Sequence, residues 1–227
     1  MNLVVFDIDG TLIQYHRKRN DGAYVKALDE VFGVTVEDSW NGFISSTDSG
    51  ILREIFQKRL GRNVTDSDIS HFKQSMALWL EKEYSEEPFN AVPGALEAWD
   101  GLLNQPEWKM AVGTGNFEFA GRFKLASAGF GLFGIPLGTA DDAETREKVL
   151  GASCHRALEV HGLERFEKIV YVGDWVWDVK AARALGWDFI GIATGEAAPM
   201  LRKAGAETIL PDFKDFMLVL KALPAIP

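Results

Sequence analysis

The chain has 227 residues, is 47% hydrophobic and carries a formal net charge of −9. That length gives a sizeable core in one domain or two small ones, and the acidic balance disfavours nucleic acid and anionic membrane as partners, since both call for a basic face. A single cysteine, Cys154, excludes a disulfide framework and a thiolate metal cluster, no run approaches the ~20 apolar residues of a spanning helix, and no leader pattern precedes Leu3, so a cytoplasmic protein is expected.

In chain order, Leu3-Val4-Val5-Phe6 is short, β-branched and aromatic, the pattern of a fully buried strand. It runs into Asp7-Ile8-Asp9-Gly10-Thr11. Residues 13–20, IQYHRKRN, are polar and basic and form a linker. From Gly22 to about Glu83 the apolar residues recur at helical spacing (Tyr24, Leu28, Val31 and Phe32; Ile51, Ile55 and Phe56; Phe72, Met76, Trp79 and Leu80), which predicts about four inserted helices. A second linker, 84–92, leads to a helix that Pro93-Gly94 opens and that runs through Leu103. Strands at 109–113, 134–138, 168–172, 189–193 and 208–210 then alternate with helices at 117–128, 143–161, 176–185 and 199–204, and a last helix ends near Leu223. This alternation predicts an α/β fold, a Rossmann-like parallel sheet made of 1–13 plus 90–227. The helices of 14–89 form a separate domain hung on a hinge pair of linkers.

Chemistry gathers where apolar strands end, the edge at which open α/β sheets bind ligands. Asp7 and Asp9 repel one another unless a cation or shared proton intervenes, so the first strand end reads as a metal site with a nucleophile. A calcium loop is excluded, because Thr11 and Leu12 stand where its fifth-position ligand and its glycine are required. Thr114-Gly115-Asn116 offers a hydroxyl, a glycine amide and a helix start to a phosphate. Gly173-Asp174 is followed four residues on by Asp178, in the first turn of a helix, so that both carboxylates face one metal. Arg146 and Lys148, near the start of the 143–161 helix, are alternative phosphate clamps.

Taken together, Asp7-Ile8-Asp9-Gly10-Thr11, Thr114-Gly115-Asn116, Arg146 within Asp-Ala-Glu-Thr-Arg, and Gly173-Asp174 with Asp178 resemble the four motifs of the haloacid dehalogenase superfamily. The likeness is to its phosphoglycolate-phosphatase-like branch with a helical cap, and it covers almost the whole chain. Trp175 departs from it, standing where a small Thr or Ser is usual, and Trp177 is also bulky. The resemblance implies a phosphatase of small phosphorylated metabolites, acting as a monomer or homodimer. Asp7 would be the nucleophile and Asp9 the general acid and base. Mg²⁺ would sit on the Asp7 carboxylate, the Asp9 backbone carbonyl and Asp174, supported by Asp178, with Thr114 and Arg146 on the phosphoryl oxygens. An acid at position 9 speaks against halide displacement. Within the cap, Thr47 and Asp48 of the Ser45–Gly50 stretch would choose the substrate, with Arg53 adding charge; the alternative for this stretch is an ordinary helix cap. A phosphomutase or a phosphonate-cleaving hydrolase shares the fold, the latter calling for a Schiff-base lysine such as Lys18, Lys26 or Lys58. A receiver-type signalling domain would be about half as long, with its motifs in another order. His155, His161 and the basic run 16–19 read as surface, and Cys154, Trp79, Trp99, Trp108 and Trp187 as packing.

Overall fold

A computed structural model describes residues 1–16, 20–36, 42–84 and 87–222. Six parallel strands make one sheet: β1 (Asn2–Phe6), β2 (Trp108–Gly113), β3 (Leu137–Gly138), β4 (Lys168–Gly173), β5 (Asp188–Ile192) and β6 (Thr208–Leu210), in the order β3-β2-β1-β4-β5-β6. The order reverses at β1, so the crevice at the strand ends opens there. Phe6 lies opposite both Val112 and Val172, and the chain thus leaves β1, β2 and β4 at one level. Asp7, Thr114 and Asp174 follow from those three ends.

β1 is buried on both faces, as a central parallel strand must be. Val4 and Phe6 join one core cluster and Leu3 and Val5 the other. The first face is covered by α4 (Ala95–Leu103), α5 (Glu118–Ser127) and α9 (Phe216–Ala222), with Phe6 ringed by Trp99, Phe213 and Phe216 at 5.8–6.2 Å between ring centres. The second face is covered by α6 (Arg146–His161) and α7 (Val176–Leu185) through Leu150, Ala157, Ala181 and Ala182. α8 (Ala197–Ala204) packs through Leu201 beside Val179. Trp99 and Trp108 are buried and Trp187 and Cys154 pack against the second cluster, while His155 is exposed.

Between β1 and α4 the described residues form three α-helices, α1 (Gly22–Phe32), α2 (Asp48–Ile55) and α3 (Asp66–Tyr84), and one π-helical segment, in line with about four. α2 continues as one π-helical turn, Phe56–Leu60, closed by Gly61 at φ +65°, a left-handed end that favours glycine. The widened turn keeps Phe56 edge-on to Phe32 at 4.8 Å, so one apolar run serves as a single element. α1 and α3 meet through Tyr24 and Phe72, 4.7 Å apart and edge to face. Phe72 also reaches Phe117 at the foot of α5, 6.3 Å away, joining the insertion to the sheet layer. Of the basic run, Arg17, Lys18 and Arg19 lie outside the described residues.

The two linkers are tied together where they leave the core. Ile13 bridges Ala91 in antiparallel fashion, Gln14 N–H donates to the Asn90 carbonyl at 2.8 Å, and Val92 N–H donates to Leu12 at 2.9 Å. None of the described helices is long and apolar enough to cross a membrane.

Candidate active site

Asp7 follows β1 directly and is 4% exposed; its backbone N–H donates to Val172 of β4 at 2.9 Å. Arg146, the first residue of α6, is equally enclosed and donates from Nη1 to Asp7 Oδ1 at 3.0 Å and from Nη2 to the Ser46 carbonyl at 3.1 Å. Its Nε lies 3.7 Å from Asp178 Oδ1. Asp178 is fully buried and accepts from Tyr171 Oη at 2.9 Å and from the Trp175 N–H at 3.0 Å. Asp7, Asp174 and Asp178 each place a carboxylate oxygen within 4.8 Å of the others. Burial, with Asp178 and Asp9 adding to it and Arg146 opposing, pushes Asp7 up to about 7. Burial and the other acids push Asp174 well above its ordinary value, and burial raises Asp178 too.

Backbone geometry makes this crowding possible. Gly10 sits at φ +82°, and a Cβ there would fall 2.0 Å from Asp174 Oδ2. Gly10→Ala is therefore expected to displace the Asp174 carboxylate and to lower Tm through left-handed strain. An unchanged Tm would show that Asp174 does not need this space.

Asp9 faces away from the acid trio into a nest of donors. Lys124 Nζ lies 3.0 and 2.8 Å from its two oxygens, Asn116 Nδ2 lies 2.7 Å from Oδ2, and Asn20 donates to Oδ1. Lys124, on α5, is 2% exposed. All these groups line a cavity of about 320 Å³, together with Thr114, Gly115, Asp174, Trp175 and Trp177 from the sheet layer. Tyr15, Tyr24, Ser46, Asp48, Ile51 and Met76 line it from the insertion side. The Trp175 and Trp177 rings lie 5.7 Å apart and wall the mouth, Trp177 being 37% exposed.

The haloacid dehalogenase-like hydrolase model matches residues 1–186, four-fifths of the chain and all of the strand ends just described. The chain belongs to this hydrolase family. No curated protein matches it. Among solved structures, it is similar to a hydrolase from Pseudomonas syringae (22% identity, 98% of each chain covered, TM-score 0.72). It is also similar to a predicted phosphoglycolate phosphatase from Haemophilus somnus (18% identity, 96% and 97% covered, TM-score 0.61). A third likeness is to CbbY from Rhodobacter sphaeroides in complex with phosphate (16%, 94% and 95%, TM-score 0.67).

In this haloacid dehalogenase-like hydrolase the residues fit a divalent cation. The buried Asp7 and Asp178 and the partly exposed Asp174 converge beside a single guanidinium, and all three offer hard oxygen ligands. Asp9's carboxylate is no part of that trio, leaving its backbone carbonyl as what it can offer.

Other expected residues are placed differently. Lys148, the alternative clamp, is exposed on α6 and absent from the cavity wall, because two positions along a helix turn the side chain by about 200°. Thr47 is also absent from the wall. Its hydroxyl accepts from the Gly50 N–H at 3.2 Å, capping α2, and donates to the Glu144 carbonyl at 2.7 Å. Arg53 pairs with Glu144. Asp48 does line the cavity; its Oδ2 accepts from the Phe117 N–H at 2.8 Å, and burial, opposed by Lys124, pushes it up to about 7. Just before and at the start of α5, the Asn116 N–H donates to Thr114 Oγ1, the Phe117 N–H to Asp48 and the Glu118 N–H to Asp141. The Asn116 side chain lines the cavity and meets Asp9, Thr114 and Lys124. Lys26 pairs with Glu83 and Lys58 with Glu54, neither on the cavity wall, and Lys18 lies outside the described residues. Lys124 is the residue that motif reading missed.

Proposed function

We propose that this hydrolase is a Mg²⁺-dependent phosphatase of small phosphate monoesters that works through an aspartyl-phosphate on Asp7. The observation that carries the reading is the separation of two carboxylates two residues apart in sequence. Asp7 is held by Arg146 among the acid trio, while Asp9 has its own set of donors. One is placed to attack and the other to move protons.

Asp7 Oδ1 is engaged by Arg146, so Oδ2 is the attacking oxygen. The Asp7–phosphorus bond forms as the bond to the leaving oxygen breaks. Thr114 and Arg146 take up charge on the equatorial oxygens. Asp9 gives a proton to the leaving oxygen and then takes one from the water that cleaves the aspartyl-phosphate, which restores Asp7 and releases inorganic phosphate. Asp7, Asp174 and the Asp9 carbonyl would hold Mg²⁺, with Asp178 behind them, and the ion would supply charge neutralisation for a dianionic phosphoryl group. The 14–89 insertion acts as the cap, docked by Ser45, Thr47 and Ser49 onto the Ala143 and Glu144 carbonyls, and it excludes water while Asp7 is phosphorylated.

The cavity suits a small alcohol. Its insertion side is aromatic, apolar and acidic, so a screen should include monoesters of neutral and basic alcohols beside phosphoglycolate. Purified protein with Mg²⁺ is expected to release inorganic phosphate steadily from p-nitrophenyl phosphate and, with higher kcat/KM, from at least one metabolite. No release from any monoester would overturn the proposal. A single stoichiometric phosphorylation without turnover would point to a receiver-type role, and an isomerised sugar phosphate to a mutase.

A further inference from the structure

The lysine beneath Asp9 has no part in the reaction described so far, yet it is the most enclosed cation in the cavity wall. Its surroundings fix more than its own position. An ammonium only donates, so the Asn116 atom 2.8 Å from Lys124 Nζ must be the carbonyl oxygen Oδ1. That sets the amide: Nδ2 points the other way, 2.7 Å from Asp9 Oδ2 and 2.9 Å from Thr114 Oγ1. Thr114 Oγ1 also accepts from the Asn116 backbone N–H at 3.3 Å. With both lone pairs receiving, the hydroxyl proton is left for a third direction, and Thr114 is fully buried with the cavity before it. Gly121, one turn before Lys124, lets α5 approach this closely: a Cβ there would meet Ile8 Cδ1 at 3.0 Å and Thr114 Cγ2 at 3.5 Å.

We propose that Lys124 is a positioning residue for phosphoryl transfer, locking the Asn116 amide so that Thr114 aims its hydroxyl proton at the substrate phosphoryl group while the same ammonium fixes the Asp9 carboxylate. The proposal rests on the phosphatase reading. Without Lys124 the Asn116 Oδ1 loses its donor, and the one group still holding Nδ2 toward Thr114 is an Asp9 carboxylate that is itself no longer anchored, so the Thr114 hydroxyl loses the fixed donor that turns its proton to the substrate. Asp9 would at the same time lose the group that spans both its oxygens.

The two arms separate by leaving group. With p-nitrophenyl phosphate, kcat/KM reports transfer to Asp7 alone, and a nitrophenolate leaves without a proton, so the Thr114 arm dominates. With an alkyl phosphate the proton from Asp9 is needed as well. Thr114→Val is expected to lower kcat/KM for p-nitrophenyl phosphate about a hundredfold, the loss typical of one oxyanion donor, and Lys124→Met at least about tenfold. The double variant should be no worse than Thr114→Val within about threefold, since one arm is removed twice. Lys124→Met should lose at least a further ~tenfold on an alkyl phosphate, a dependence that a purely structural lysine would not produce. Tm reports folding; if Lys124→Met does not fold, Asn116→Leu breaks the same relay and should show the same failure to multiply with Thr114→Val. Losses that multiply, or a Lys124→Met variant within about threefold of the parent on both esters, overturn the proposal. A parent enzyme that releases no nitrophenolate instead defeats the phosphatase reading itself, and the two failures are distinct.

Discussion

Asp7→Asn is expected to fold as the parent does and to retain less than about a thousandth of its kcat, because an amide cannot form the phosphoryl intermediate that splits the reaction into two steps. The site distinguishes this from a loss of structure. Asp7 is enclosed beside Asp178 and Asp9, and its carboxyl is pushed up to about 7. An acid raised in the folded state stabilises the fold below its unfolded value near 4, and that contribution is lost as pH rises through 7. At pH 8 in chelator the asparagine removes one of the crowded charges, so Tm should stay level or rise while activity disappears. Arg146 keeps Asp178 and the Ser46 carbonyl as partners. A variant that keeps more than about a thousandth of kcat defeats the nucleophile assignment. A variant that is inactive with Tm lowered by ten degrees or more leaves the loss to misfolding, and Asp7→Glu, which keeps the charge and displaces the oxygen, then takes its place with the same loss of kcat expected.

Withdrawal of divalent cations should have the second largest effect. Activity is expected to vanish in excess chelator, to return with Mg²⁺ and not with Ca²⁺, whose larger and looser coordination does not hold in-line geometry. The stability of the same protein should carry the mark of the acid trio. Asp7, Asp174 and Asp178, with Asp48 across the cavity, are all shifted upward by burial. In chelator the folded chain binds protons that the unfolded chain releases, and Tm should fall between pH 5.5 and pH 8. Millimolar Mg²⁺ should flatten that slope, since a dication takes the place of the protons. Full activity in chelator, or a Tm slope indifferent to Mg²⁺, would contradict the cation site.

The strand ends were legible because each acid follows an uninterrupted apolar run, and a buried parallel strand has one place to deliver a polar group. Asp7, Thr114 and Asp174 come together for that reason. The insertion was legible as helix, though periodicity does not register that Phe56–Leu60 is a π turn continuing α2. Arg146 and Lys148 could not be separated without knowing which side of α6 faces the sheet. Thr47 reads equally as ligand or cap because a capping hydroxyl and a binding hydroxyl share one sequence pattern, and the Glu144 carbonyl that takes its proton is 97 residues away. Lys124 did leave a signal. It sits three and four residues after Gly121 and Ala120, on the stripe that α5 buries, and a lysine on a buried stripe demands an anion.

The paired linkers carry a consequence for exchange of the insertion. The chain departs at Gln14 and returns at Asn90, and those two residues share a hydrogen bond. Holding the ends of an inserted segment together costs an entropy that grows only with the logarithm of its length, about 0.6 kcal/mol for each doubling. Such a junction behaves as a socket: helices can be lengthened, exchanged or reduced to a short turn between residues 14 and 90 while the strand order, the register and the acid trio stay as they are. What this hydrolase admits can then be altered through one joint without touching the strand ends that carry the chemistry.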